Sequence, residues 1–243
     1  MMVQELTFTQ EEYQERRLRT RRMLTWTIIF AIVMFFAGLT SAYVVSMSGG
    51  YWVDIDLPQA FWISTATIFL SSISAQLALN AAKKGKQGTI GPMLVITLLL
   101  GCGFAWSQFQ GWSEMVDRGQ FVTGKITAMR GEYGVDYTIS RGGQVLVLED
   151  GQFYMPDDHA RRRSLNPDIE EYKNTASSYV YALTGAHLFH LAFGLISLIL
   201  MGIMAFMGRY TRDRHAGLWS GVVYWHFLGG LWVYLLLFLT FVH

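Results

Sequence analysis

The sequence predicts an all-α fold: a polytopic membrane bundle of five transmembrane helices with a small β-rich external insertion. Two observations carry this. The 243 residues include 19 Lys/Arg and 18 Asp/Glu, yet the stretches 23–53, 57–82, 87–113, 174–208 and 215–243 contain none of them. Each stretch also exceeds the ~20 apolar residues that cross a bilayer core as helix, and none shows the period-2 alternation of a barrel strand. A soluble enzyme spreads charge over its whole surface, so that class is excluded. The net charge of +1 and 52% hydrophobic content exclude a disordered or nucleic-acid-binding chain, which is polar or strongly basic.

The spans are predicted near 24–47, 60–82, 90–112, 177–207 and 217–241. They divide the chain into a cytoplasmic N-terminal segment (1–23), three helices (24–112), the insertion (113–176) and two further helices (177–243). Pro58 and Pro92 fall at or near helix starts, where a missing N–H costs nothing, and Pro156 and Pro167 lie in the insertion. Basic residues set the orientation. Arg16, Arg17, Arg19, Arg21 and Arg22 precede span one, Lys83, Lys84 and Lys86 follow span two, and Arg209, Arg212 and Arg214 follow span four. These alternate segments carry 11 Lys/Arg, whereas the 48–59 loop has none, which places the N-terminus inside and the C-terminus outside. The first apolar run is too long for a signal h-region and is expected to remain as an anchor. The lone Cys102 permits no intrachain disulfide.

Within the insertion, Val135–Ser140, Gln144–Glu149 and Gln152–Met155 read as a small β-meander, turned at Arg141-Gly142-Gly143 and Asp150-Gly151. Asp-Gly between β-prone runs is a two-residue hairpin signal because both positions need positive φ. Downstream, Asp157–Lys173 is polar and reads as a loop with a short helix. The outer segments sum to −5 and the inner ones to +6. The insertion is therefore either an ordinary solvated loop or a mildly acidic face that attracts a basic partner. His159, beside Asp157 and Asp158, reads as a surface residue.

Five of the six histidines, His187, His190, His215, His226 and His243, sit in the charge-free stretches. Ionisable side chains inside a membrane are costly and raise a functional hypothesis. His187 and His190, at i and i+3, share the spacing of a haem or metal ligand pair. The competing reading is structural or lipid-facing histidine. A haem between His187 and His226 needs ligands at matching depth, but each lies about nine residues from an opposite membrane surface, or ~14 Å at 1.5 Å per residue. No span holds a carboxylate for a dinuclear site or for ion-coupled transport. Small residues such as Ser64, Thr67, Ser71, Ala75 and Ala78 imply close helix packing, as does Gly38 after Phe35-Phe36. Tyr51, Trp52, Trp62, Trp112, Trp219, Tyr224 and Trp225 lie toward span ends and read as interfacial anchors.

Several motifs together resemble one family. Arg214-His215-Ala216-Gly217-Leu218 leading to Tyr224-Trp225-His226-Phe227, with Trp232 five residues on, resembles the last helix of haem-copper oxidase subunit III. Leu183-Thr184-Gly185-Ala186-His187, followed by His190 and Gly194, is similar to the helix before it. Val33-Met34-Phe35-Phe36-Ala37-Gly38 with Ser41-Ala42-Tyr43 resembles the first core helix, and Ser71-Ser72 and the count of five helices also agree. Three departures stand out. Relatives carry carboxylates where this chain has Ile32, Trp219 and Gly229, which puts a proton-related role for the chain in question.

The resemblance implies a bacterial five-helix subunit III of a proton-pumping cytochrome c oxidase in the cytoplasmic membrane. On that footing the enzyme is the complex, and this chain has no catalytic, cofactor-binding or metal-binding residue of its own. Haem and copper belong to partner subunits I and II. The chain packs on subunit I, stabilises it and holds structural phospholipid in a helix cleft. The matched residues His187, His190, Tyr224, Trp225 and His226 are implied to be lipid-facing or packing. Residues 113–176 are a candidate contact for cytochrome c or another respiratory complex, and no nucleic acid is implicated. Alternative readings are subunit III of a quinol oxidase or nitric oxide reductase, and a small transporter.

Overall fold

A computed structural model of the chain describes residues 10–212 and 214–242. His243 and residues 1–9 lie outside the described residues. Helix α1 runs from Gln10 to Met47, starting well ahead of the apolar run. The segment before the membrane is rich in Glu, Gln and Arg and free of Gly and Pro, so nothing in it stops a helix. Strand β1 (Tyr51–Ile55) follows, then α2 (Gln59–Lys83) directly after Pro58. Helix α3 (Gln87–Asp117) begins three residues before the predicted 90, so Pro92 sits in its second turn rather than at its start. Helix α5 (Thr175–Phe206) and α6 (Ala216–Phe241) complete, among the described residues, five helices long and apolar enough to cross a membrane.

The spans pack as a ring of four in which α2 touches α3, α3 touches α5, α5 touches α6 and α6 touches α2, while α1 lies outside against α5 and α6. Trp225 of α6 is buried at the centre, and two glycines make room for it. A Cβ on Gly101 of α3 would come within 2.7 Å of its ring, and one on Gly194 of α5 within 3.1 Å. Close approach at small residues is how helices gain contact in a solvent that gives no hydrophobic drive.

The insertion holds a 3₁₀ turn (Ile126–Ala128), strands β2 (Tyr137–Arg141), β3 (Gln144–Val145), β4 (Val147–Glu149) and β5 (Gln152–Tyr154), and helix α4 (Asn166–Glu171). Asp150 (φ 52°) and Gly151 (φ 75°) form the expected two-residue turn between β4 and β5. The single meander is corrected in two ways. It breaks at Leu146, which is buried, gives its N–H to the Ile139 carbonyl at 2.8 Å, and accepts from the Tyr133 hydroxyl through its own carbonyl at 2.8 Å. The second correction concerns the 48–59 loop. It supplies β1, which pairs antiparallel with β2 so that Trp52 faces Ser140, giving sheets β1-β2-β3 and β4-β5. Tyr51 and Trp52 are thus buried in this sheet's packing and are not interfacial anchors.

Candidate functional site

The family-matched residues lie on α5 and α6, and the structure sends them to different neighbours. Trp225 donates its indole N–H to Ser71 Oγ at 2.9 Å, and Ser71 Oγ in turn donates to the Thr97 carbonyl at 3.0 Å. Ser74 Oγ and Thr97 Oγ1 are 2.8 Å apart, so α2, α3 and α6 meet in one satisfied polar cluster. Trp225 is 1% exposed, which corrects its reading as an interfacial anchor. The α6 sequence is apolar on all sides, so it did not reveal which face turns inward.

His187 is fully buried, with its ring 5.8 Å from Phe104 and 5.5 Å from Trp232 by centroid. Neither of its nitrogens has a partner among the described residues. Facing α3 residues fix its level: Trp112 donates to Thr184 Oγ1 at 3.0 Å, one turn away. Gln108 donates to Ser64 Oγ at 2.9 Å. His190 turns toward α1. Its Nδ1 is 2.7 Å from the Ala186 carbonyl and its ring packs on Phe35 and Phe36, while Tyr224 donates to its backbone carbonyl at 3.1 Å. His226 points to α2, where Nε2 is 3.1 Å from Gln76 Oε1. Gln76 then donates to Asn80 Oδ1 at 3.1 Å.

The three histidines therefore do not converge. His187 lies between α3 and α6, His190 against α1, and His226 against α2. Trp232, the α6 neighbour of His187, lies six residues beyond His226, or ~9 Å along the helix. Among the described residues no three His, Cys, Asp or Glu side chains are grouped to hold a metal ion.

The positions without a carboxylate are each filled by packing. Ile32 is 6% exposed in the α1 contact. Trp219 lies under the Arg22 guanidinium, 5.4 Å from its ring centre, a cation–π contact. Gly229 lets α6 approach α2, since a Cβ there would stand 3.3 Å from Ser72 Oγ.

In the sequence the basic residues mark orientation alone, but the fold brings three of them together. Where α1 meets α5 and α6 at the basic end, a cavity of about 840 Å³ is lined by Arg21, Arg209 and Arg214, with Leu18, Leu200 and Met204. At the insertion end, a cavity of about 490 Å³ is lined by Asp54, Asp56, Asp136, Arg118 and Trp62. Burial pushes the Asp54 carboxyl above the usual range, partly offset by Thr138, which donates to it at 3.1 Å. Three residues back along β1, the Arg141 guanidinium lies over the Tyr51 ring at 4.8 Å and donates to its hydroxyl at 2.9 Å. His159 is exposed, as read from the sequence.

No model of a known protein family matches the chain. Curated proteins do. Over 58 residues the chain is 36% identical to a protein of Glycine max named cytochrome c oxidase subunit 3, covering 24% of this chain and 22% of that protein. It is 35% identical over 63 residues to the protein of the same name from Synechocystis sp. (strain ATCC 27184 / PCC 6803 / Kazusa), covering 26% of this chain and 27% of that one. A Mycobacterium leprae (strain TN) protein named probable cytochrome c oxidase subunit 3 is 23% identical over 215 residues, covering 86% of this chain and 82% of that one. The matched stretch thus spans only about a fifth of the length of the plant relatives. The resemblance read from the helix motifs is borne out by these names.

Proposed function

We propose that this chain, a relative of proteins named cytochrome c oxidase subunit 3, is the non-redox subunit III of an O2-reducing, proton-pumping oxidase. The observation that carries the reading is how its membrane histidines are used. His226 is tied to α2, His190 bonds the Ala186 carbonyl of its own helix and packs on Phe35 and Phe36 of α1, and His187 is walled in by Phe104 and Trp232. No span brings a carboxylate to them. Such an arrangement packs helices and offers no ligand pair to a haem or metal. Haem and copper then belong to subunits I and II, and this chain packs on subunit I and stabilises it.

Lipid retention is part of the same proposal. The basic-end cavity sets three guanidiniums beside apolar walls, with Arg209 and Arg214 in the segment joining the ends of α5 and α6. Arg holds phosphate oxygens through paired N–H donors, and Leu18, Leu200 and Met204 suit acyl chains. The excess of Lys and Arg on the segments opposite the insertion supports a multi-pass protein of the bacterial cytoplasmic membrane, basic end inside and insertion outside. The acidic cavity at the insertion end and the sum of −5 over the insertion and the 48–59 loop support contact with cytochrome c or another respiratory complex.

The test is purification from the native membrane in mild detergent, with a reduced-minus-oxidised spectrum and identification of every subunit. Co-purifying a-type haem with a copper-bearing subunit is the expected result. A haem-free homo-oligomer sinks the reading in favour of a transporter, and a quinol-oxidising complex transfers it to a different oxidase.

A further inference from the structure

Most of the membrane-facing surface is apolar, as lipid requires. On α5, for example, Phe193, Ile196, Leu200 and Ile203 point outward. The outer face where α2 meets α6 departs from this. Ser72, Gln76 and Asn80 follow one another at four-residue spacing on α2 and are all half-exposed, and half-exposed His226 of α6 joins them. Residue 71 is the centre of α2, so Gln76 lies about 8 Å from the middle of that span, well inside a hydrocarbon core of half-thickness about 15 Å.

The hydrogen bonding within this stripe is incomplete. Gln76 uses one N–H on Asn80 and its carbonyl oxygen on His226. Its second N–H, the Asn80 amide N–H groups and His226 Nδ1 have no partner among the described residues. Leaving such groups against hydrocarbon costs free energy that water would remove at a soluble surface. Lipid does not meet the need at Gln76, because acyl chains carry no hydrogen-bonding atoms and ester carbonyls sit near the interface. The surface beside the stripe is also shallow. Gly230 is exposed and a Cβ there would meet nothing, so a second backbone can come close.

We propose that this α2/α6 face is the seat of a transmembrane helix from another subunit, one presenting hydrogen-bond acceptors at the depth of Gln76. The inference rests on the reading of the chain as a subunit of a membrane complex, and names the face by which it joins. Ser72 and Gly230 set the distance of approach, and Gln76 and Asn80 set the axial register.

The test uses the assembled complex in its native membrane. A benzophenone side chain is placed at Phe69 or Ile73, which are exposed beside the stripe, and for comparison at Phe193 or Ile196 on α5. The expected result is a covalent adduct from Phe69 and Ile73 with the transmembrane segment of another subunit, mapped by mass spectrometry, and lipid adducts from α5. Protein adducts from α5 with lipid alone at Phe69 and Ile73 overturn the choice of face and leave the subunit reading standing. Lipid adducts from both faces overturn both. A second arm removes the donors by Gln76→Leu and Asn80→Leu. Co-purification with the partner should fall about five- to tenfold, the scale of interhelical polar contacts, while the chain's own thermal unfolding in detergent is lowered no further than by His226→Leu, which loses the same Gln76–His226 bond. Unchanged co-purification overturns the role given to these side chains.

Discussion

The Trp225 indole nitrogen donates to Ser71 Oγ at 2.9 Å, tying the last span to the second through the middle of the bundle. Replacing Trp225 by Phe removes that donor and should destabilise the purified chain by about 1 kcal/mol, the net worth of a buried hydrogen bond. Replacing it by Ala also opens a cavity opposite Gly101 and Gly194, and the loss should reach about 3–5 kcal/mol. Thermal unfolding in detergent measures both, and equal effects from the two variants contradict the assignment.

The β4–β5 turn gives a second prediction. Gly151 has φ 75°, where a β-branched side chain is strained, so Gly151→Val should destabilise the hairpin by at least about 1 kcal/mol and Gly151→Asn by less. Limited proteolysis of the insertion reads the difference. Equal cleavage of the two variants contradicts the turn assignment.

Asp54 supplies a pH dependence. Burial raises its folded pKa above the unfolded value, so folding favours the protonated form. Its contribution is fully present below the usual Asp range near ~3.9 and is lost as pH rises through the raised folded value. Asp54→Asn should therefore stabilise the β1–β2 sheet at neutral pH and flatten its profile on the acid side. Hydrogen exchange at Thr138 and Ser140, whose amides face β1, across pH 4–7 measures this, and a profile identical to the unsubstituted chain counts against it. Glu149 has the opposite sign. Arg161 donates to it through Nε at 2.7 Å and lowers its pKa, so its contribution exists above the unfolded value and fades as pH falls.

The basic-end cavity predicts lipid stoichiometry. Arg209→Ala with Arg214→Ala should reduce the anionic phospholipid retained by the purified complex by about one molecule per chain, counted by lipid mass spectrometry. Arg163→Ala, on the exposed insertion, should leave the count unchanged. Equal retention in both removes the cavity from the lipid argument.

The five spans were legible in the sequence because excluding charge from long stretches is a one-dimensional property, and the Asp150-Gly151 hairpin because a two-residue turn is local. Strand β1 was hidden. Tyr51 and Trp52 suit both a membrane interface and a sheet, and their partners Arg141 and Ser140 lie far along the chain. The candidate site was less legible for the same reason. His187, His190 and His226 are found by scanning, but only the packing of α1, α2 and α3 around α5 and α6 separates them, and only the docking of α1 brings Arg21 to Arg209 and Arg214. Gln76 and Asn80 are polar residues of span two, but polarity alone does not say which face they take. Their half-exposure beside His226 appears only once α6 is docked.

The pairing of β1 with β2 also orders events in time. Trp52 and Ser140 meet across 88 residues that include two complete spans. During synthesis β1 emerges early and stays an open edge, with free backbone donors and acceptors, until α2 and α3 have inserted and the chain has returned to the same side of the membrane. Closing that sheet is then a late, slow step, and it fastens the end of α1 to the insertion only after the helices between them are in place. The strand thus acts as a latch on a finished bundle, and a chain stalled before residue 137 carries the latch unfastened.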